Sequence, residues 1–190
     1  MRLNPLFSRK NDRPLIRELA SGEPSAQTAI YRKLASRIYP TALRITACPQ
    51  DAEDAMQEAF LRLFKTACEG TADFGDSWES LTAWLRHTAA NCAIDILRRR
   101  SLFSASEPSE ADLSDETDLQ DDDTEAEIED IHRAVLGLPS QYRTILSLHL
   151  FEGYDYEECA VILGVPEGTV RVKYLRAKRR LLKELKHNEE

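Results

Sequence analysis

The sequence predicts an all-α chain of two small helical domains joined by a flexible, acidic linker. Three observations carry that prediction. Apolar residues recur at i, i+3, i+4 and i+7 along most of the chain, and no sustained period-two alternation appears. Charge is strongly segregated along the sequence. The length of 190 residues allows one or two compact units with a core of useful size.

The first block opens with two helices. Leu15, Ile16 and Leu19 form one stripe, and Ala29, Ile30, Leu34 and Ile38 a second, with Gly22-Glu23-Pro24 between them. Pro40 is expected to kink or end the second helix. Pro49-Gln50-Asp51 starts a third. Ala52, Ala55, Met56, Ala59, Phe60, Leu63 and Phe64 form its apolar stripe. Its other face carries Asp54, Gln57, Glu58, Leu61 and Arg62. Leu61 is a large apolar residue among polar ones, which suits either a partner anchor or a harmless exposed leucine. Asp76 and Glu79 are spaced as a capping box for a fourth helix. Leu81, Trp84, Leu85, Thr88, Ala89, Cys92 and Ile96 are its inward stripe, while His87, Asn91, Asp95 and Arg98 share another face. That helix ends in Arg98-Arg99-Arg100. The triplet fits two accounts: cations favoured by the negative end of the helix dipole, or a phosphate-contacting patch.

Net charge is −8, yet 13 acids and no Lys or Arg lie between Glu107 and Asp130. Without that stretch 20 acids face 25 bases. A segment this acidic and this poor in aromatics cannot bury enough apolar area to offset its ordering entropy, so disorder is expected. It serves either as a solvated spacer, as a mask over the basic helices, or as a strand threaded through a basic channel.

The second block continues the helical pattern. Ile128, Ile131, Val135 and Leu136 form one helix, ended by Gly137-Leu138-Pro139. Ser140 is placed to cap the next, whose apolar positions are Tyr142, Ile145, Leu146, Leu148 and Phe151 before Gly153. Asp155 to Glu158 forms another capping box, opening a short helix to Leu163. A long helix follows from about Pro166 to Leu185. Between Arg171 and Lys186 it holds eight bases against one acid, Glu184. Ala160, Gly164 and Val170 are spaced as in a helix-turn-helix: a small residue where the helices cross, a glycine for positive φ, and an apolar plug. The second helix would then offer Glu167, Thr169, Arg171, Lys173 and Arg176 to a major groove. A helical hairpin that binds nothing is the alternative.

Enzymatic readings find little support. No nucleophile is paired with a base, and no glycine-rich phosphate loop is present. Cys48, Cys68, Cys92 and Cys159 make no CxxC pair, and His87 and Cys92 fall on different helix faces, so no metal site or cofactor is expected. No apolar run approaches the ~18 residues of a membrane span. Met1 to Lys10 lacks the apolar core of a secretion signal, so a cytoplasmic location is expected.

Two motif sets together resemble a known family. Asp51-Ala52-Glu53-Asp54-Ala55-Met56-Gln57-Glu58-Ala59-Phe60 is similar to the polymerase-binding helix of bacterial sigma-70-type factors. Ala83-Trp84-Leu85, Ala90-Asn91, Asp95 and Arg98-Arg99-Arg100 resemble the adjoining promoter-reading helix. Leu138-Pro139, Arg143, Glu157-Glu158, Ala160, Leu163-Gly164, Gly168-Thr169-Val170 and Arg176-Ala177 resemble the last domain of that family. Order, spacing and short length match the extracytoplasmic-function (ECF) group, which keeps only domains two and four.

The resemblance implies a non-enzymatic transcription initiation factor. It divides the chain into a tail (1–14), sigma domain 2 (15–101), the acidic linker (102–126) and sigma domain 4 (127–186). It implies that Asp54, Gln57, Glu58, Leu61 and Arg62 dock on the β′ clamp helices of core RNA polymerase, with the β flap as a second contact. Asn91, Asp95, Arg98, Arg99 and Arg100 would lie at the −10 element of promoter DNA, beside a base-capturing loop at about 68–80. Thr169, Arg171, Lys173, Arg176 and Lys178 would read the −35 element. Family habit adds an anti-sigma protein as a partner. Val172 stands where many relatives carry a small polar residue, and Cys159 where they carry an aliphatic one. The competing reading is a stand-alone helix-turn-helix regulator, which gives the first block no role.

Overall fold

The computed structural model describes residues 12–71, 74, 77–103 and 128–187. The expected acidic linker therefore falls almost wholly outside the described residues, as does Asp76 of the first capping box. The described residues form eight α-helices: α1 (Asp12–Ala20), α2 (Pro24–Thr46), α3 (Pro49–Glu69), α4 (Trp78–Phe103), α5 (Ile128–Gly137), α6 (Ser140–Leu146), α7 (Tyr156–Leu163) and α8 (Glu167–His187). A π-helical turn, Ser147–Phe151, extends α6.

In the first block α2, α3 and α4 pack on one another, and α1 closes one side. Phe60, Leu63, Leu19, Ile30, Leu34, Ile38, Leu81 and Leu85 are almost wholly removed from solvent. This is what the apolar spacing requires: each helix turns its 3.6-period stripe inward. The second helix does not end at Pro40. α2 runs on to Thr46, because Ala42 and Ile45 prolong the buried stripe and their packing outweighs the hydrogen bond that proline cannot make. It ends at Ala47, which takes φ 50 and returns its N–H to the Leu43 carbonyl. At the start of α4 the capping group among the described residues is Ser77, whose hydroxyl accepts the Ser80 N–H at 3.0 Å.

In the second block α5, α6 and α8 enclose a small core of Val135, Leu138, Tyr142, Leu146, Ala177, Leu181 and Leu185. Ser140 is the first helical residue of α6, and its side chain makes no cap; Pro139 precedes it. The capping box of α7 is complete: Asp155 accepts the Glu158 N–H, and the Glu158 carboxylate accepts the Asp155 N–H, each at 2.8 Å.

The two blocks are not held apart. Ile145, Leu148, Tyr154, Cys159 and Val170 join the core of the first block. α6 and the π turn lie against α2. Arg143, 7% exposed, reaches across to the carbonyls of Ile45 (3.2 Å) and Thr46 (3.3 Å) at the C-terminus of α2. Those carbonyls lack helical partners and sit at the negative end of the dipole, so a guanidinium satisfies both needs.

Candidate nucleic-acid interface

α3 presents the first surface. At 100° per residue Asp54, Gln57, Glu58, Leu61 and Arg62 share one side of the helix. Ala52, Ala55, Ala59 and Leu63 turn the opposite way and are fully buried. Leu61 is 63% exposed. Arg62 Nε donates to Glu58 at 2.8 Å, one turn back, and this bond raises the guanidinium's proton affinity. Asp54, Gln57, Glu58 and Arg62 thus stand as a polar, mostly charged surround for one exposed leucine.

Arg62 also faces α4. With Lys65, Thr66 and Glu69 of α3 and Trp84, Thr88 and Asn91 of α4 it lines a shallow depression of about 370 Å3. The lining holds an indole, an amide, two hydroxyls and two cations, groups that can stack on and hydrogen-bond a base, together with the Glu69 carboxylate, which lies 4.0 Å from Lys65. Phe74, 8% exposed, packs edge-on against Trp84 with centroids 5.9 Å apart. Its ring thereby lies next to a residue that lines this depression. Phe74 went unread in the sequence because an isolated aromatic in a loop has no periodicity to reveal its direction.

The α4 residues divide. Asn91, Asp95 and Arg98 fall on one side, as their spacing requires. Arg99 Nε donates to the Asp95 carbonyl at 3.2 Å. Arg98 donates to the Asp95 carboxylate at 3.4 Å and to the Ile162 carbonyl of α7. Arg100 lies about half a turn from Asn91 and points elsewhere. It donates to the Asp51 carboxylate at 2.6 Å, and that carboxylate is 6% exposed. Arg100 therefore ties the end of α4 to the start of α3, a structural role that the sequence did not separate from its neighbours.

α7 and α8 form the helix-turn-helix. Gly164 takes φ 68 and its N–H caps α7 on the Ala160 carbonyl at 2.9 Å. Val170 is fully buried and holds α8 down. Cys159 is fully buried too, and burial pushes its thiol up to about 11. The five candidate residues of α8 spread around the helix. Arg171 is held by Glu167 at 2.6 Å and lies over the Tyr156 ring at 4.9 Å. Lys173 donates to Gln141 of α6 at 2.9 Å and is half-buried, and Thr169 is half-buried as well. Arg176 and Lys178 are exposed. Val172 (48% exposed) and Leu175 (54%) are exposed on α8 as well.

A two-module helical protein with a helix-turn-helix and a second cationic helix belongs to the DNA-binding class. Comparison with known proteins narrows it. A model of sigma-70 region 2 matches residues 30–103, and a model of sigma-70 region 4 matches residues 128–181. The RNA polymerase sigma-H factor of Pseudomonas aeruginosa is 27% identical, over 95% of this chain and 96% of its own. The ECF RNA polymerase sigma factor SigL of Mycobacterium tuberculosis is 31% identical, over 87% of this chain and 94% of its own. The helical fold is similar to that of the sigma factor RpoE from Bartonella quintana, solved with the anti-sigma factor NepR (TM-score 0.51, 21% identity, 84% of this chain and 96% of that one). The chain belongs to the sigma-70 family of RNA polymerase sigma factors, in its ECF group. Among the described residues no helix is long and apolar enough to cross a membrane, and no cluster of potential metal ligands occurs.

Proposed function

We propose that the chain is a non-catalytic specificity subunit of RNA polymerase in the cytoplasm: it binds the core enzyme, carries it to a set of promoters and holds the melted −10 strand. The observation that carries this reading is the exposed Leu61 in its polar surround, directly adjoining the Trp84–Asn91 depression through Arg62. A docking face that shares a residue with a nucleotide-sized depression couples polymerase binding to strand capture.

Within this reading the α3 face meets the β′ clamp helices. The depression takes an unstacked base, which lowers the cost of strand opening. Asn91, Asp95, Arg98 and Arg99 line the path of the strand, and Arg100 supports them through Asp51. α8 enters the −35 major groove, with the exposed Arg176 and Lys178 on different sides of the helix, while the second block also meets the β flap. An anti-sigma protein is the expected inhibitor; domain 2 covers residues 15–101 and domain 4 residues 127–186.

In vitro transcription from genomic fragments with purified core polymerase tests the proposal. Discrete transcripts appear only when the protein is added. Gene control by the isolated protein, as a dimer without affinity for the core enzyme, overturns it.

A further inference from the structure

We propose that the free protein is locked in a closed state by a buried ionic clasp centred on Glu152, and that this clasp opens before both DNA-facing modules engage one promoter. The inference rests on the reading of α4 and α8 as promoter surfaces.

Glu152 follows the π turn in the second block, yet its charge partners all belong to the first. Its carboxylate, 1% exposed, lies 2.8 Å from the Arg44 guanidinium and 2.9 Å from that of Arg86. The Thr41 hydroxyl donates to it at 3.0 Å. Arg44 also lies over the Phe151 ring at 4.6 Å, and Arg86 donates to the Phe151 carbonyl at 2.8 Å. A carboxylate this deeply buried is tolerated only when paired, so docking of the blocks is conditional on these guanidiniums being in place. That condition makes the contact specific rather than a chance apolar collapse.

The clasp also occupies part of α4. Beyond Arg86, His87 packs on the Tyr154 ring with centroids 4.5 Å apart, and Arg98 bonds to the Ile162 carbonyl of α7. A residue of the −10 group is therefore spent on the helix-turn-helix itself. The −35 and −10 positions differ by about 25 base pairs, or roughly 85 Å of duplex at about 3.4 Å each. Modules in hydrogen-bond contact cannot straddle that distance. The chain between Phe103 and Ile128 holds 24 residues, with a contour of roughly 80 Å, and the width of the two modules adds to that reach, so separation is sterically permitted. Core polymerase that binds only the open form pays the opening cost, and its apparent affinity falls by the open fraction.

The test uses the full chain with Glu152→Gln, which keeps shape and removes charge, and Arg86→Ala. Arg86 is 37% exposed on α4, so its loss leaves the second block's own packing intact if Glu152→Gln does not fold. Small-angle scattering reads closure with no other molecule present, and binding to purified core polymerase reads gating. The expected result is a larger radius of gyration for a folded variant and core affinity raised by about tenfold, the gain for a wild type open about a tenth of the time. Folded variants as compact as wild type overturn the clasp. A larger radius with unchanged core affinity overturns gating. Absence of core binding by wild type and variants alike overturns the functional reading and leaves the scattering test of the clasp standing.

Discussion

Leu61 and Arg100 show how much a single position depends on its surroundings. Both stand out in the sequence, one as an apolar residue in a polar face and one as the end of a basic triplet. Leu61 proves exposed, and Leu61→Ala is expected to weaken core binding by about 2 kcal/mol, as for a central anchor, in a pull-down where Lys65→Ala changes little. Arg100 proves bonded to a buried carboxylate. Arg176→Ala is expected to cost about 1–3 kcal/mol on cognate −35 DNA if it touches a base, and equally on scrambled DNA if it touches phosphate. The cysteines divide in the same way. Cys68 is exposed, while burial pushes the thiols of Cys92 and Cys159 up to about 11. At pH 8 about a thousandth of either buried thiol is ionised, so iodoacetamide followed by peptide mass spectrometry should label Cys68 first. The linked stability has a definite sign. Neutral thiols are favoured in the fold, so their contribution is whole below about pH 9 and is lost as pH rises towards 11.

At the scale of elements, local signals were readable wherever a side chain answers its own backbone. The α7 capping box, the positive φ of Gly164 and the buried Val170 all follow from residue type and spacing. Gly164→Ala meets no steric neighbour, so only the left-handed backbone opposes it. Chemical denaturation should show a loss of about 1–2 kcal/mol. Where an element's fate is set by what packs on it, the sequence misleads. Pro40 reads as a kink or an end, yet the continued stripe of Ala42 and Ile45 carries α2 past it. The inner lining of the α3–α4 depression is equally hidden, since Trp84 reads as core and its contact with Phe74 is not local.

Across the whole molecule the core of the first block takes in residues of the second, beside the smaller core of α5, α6 and α8, and that has a consequence for unfolding. Phe60→Ala should cost about 3–5 kcal/mol, because the ring is buried against Tyr31 and Phe64. Trp78 and Trp84 report only on the first block, whereas amide hydrogen exchange in α6 and α8 reports on the second. With a joined core, Phe60→Ala is expected to accelerate exchange in α6 along with the loss of tryptophan signal. Unchanged protection in α6 would show that the blocks unfold separately.

Helical class, the order of the motifs and the helix-turn-helix were determined by sequence alone, since period, caps and turn chemistry act within a few residues. Only the tertiary structure decided that Arg143, Arg44 and Arg86 spend their charge between blocks, that Glu152 is the common partner of Arg44 and Arg86, and that Arg100 is tied to Asp51. Those pairings join residues dozens of positions apart. A charge in a sequence carries no record of which distant charge it will meet once apolar burial has brought the helices together.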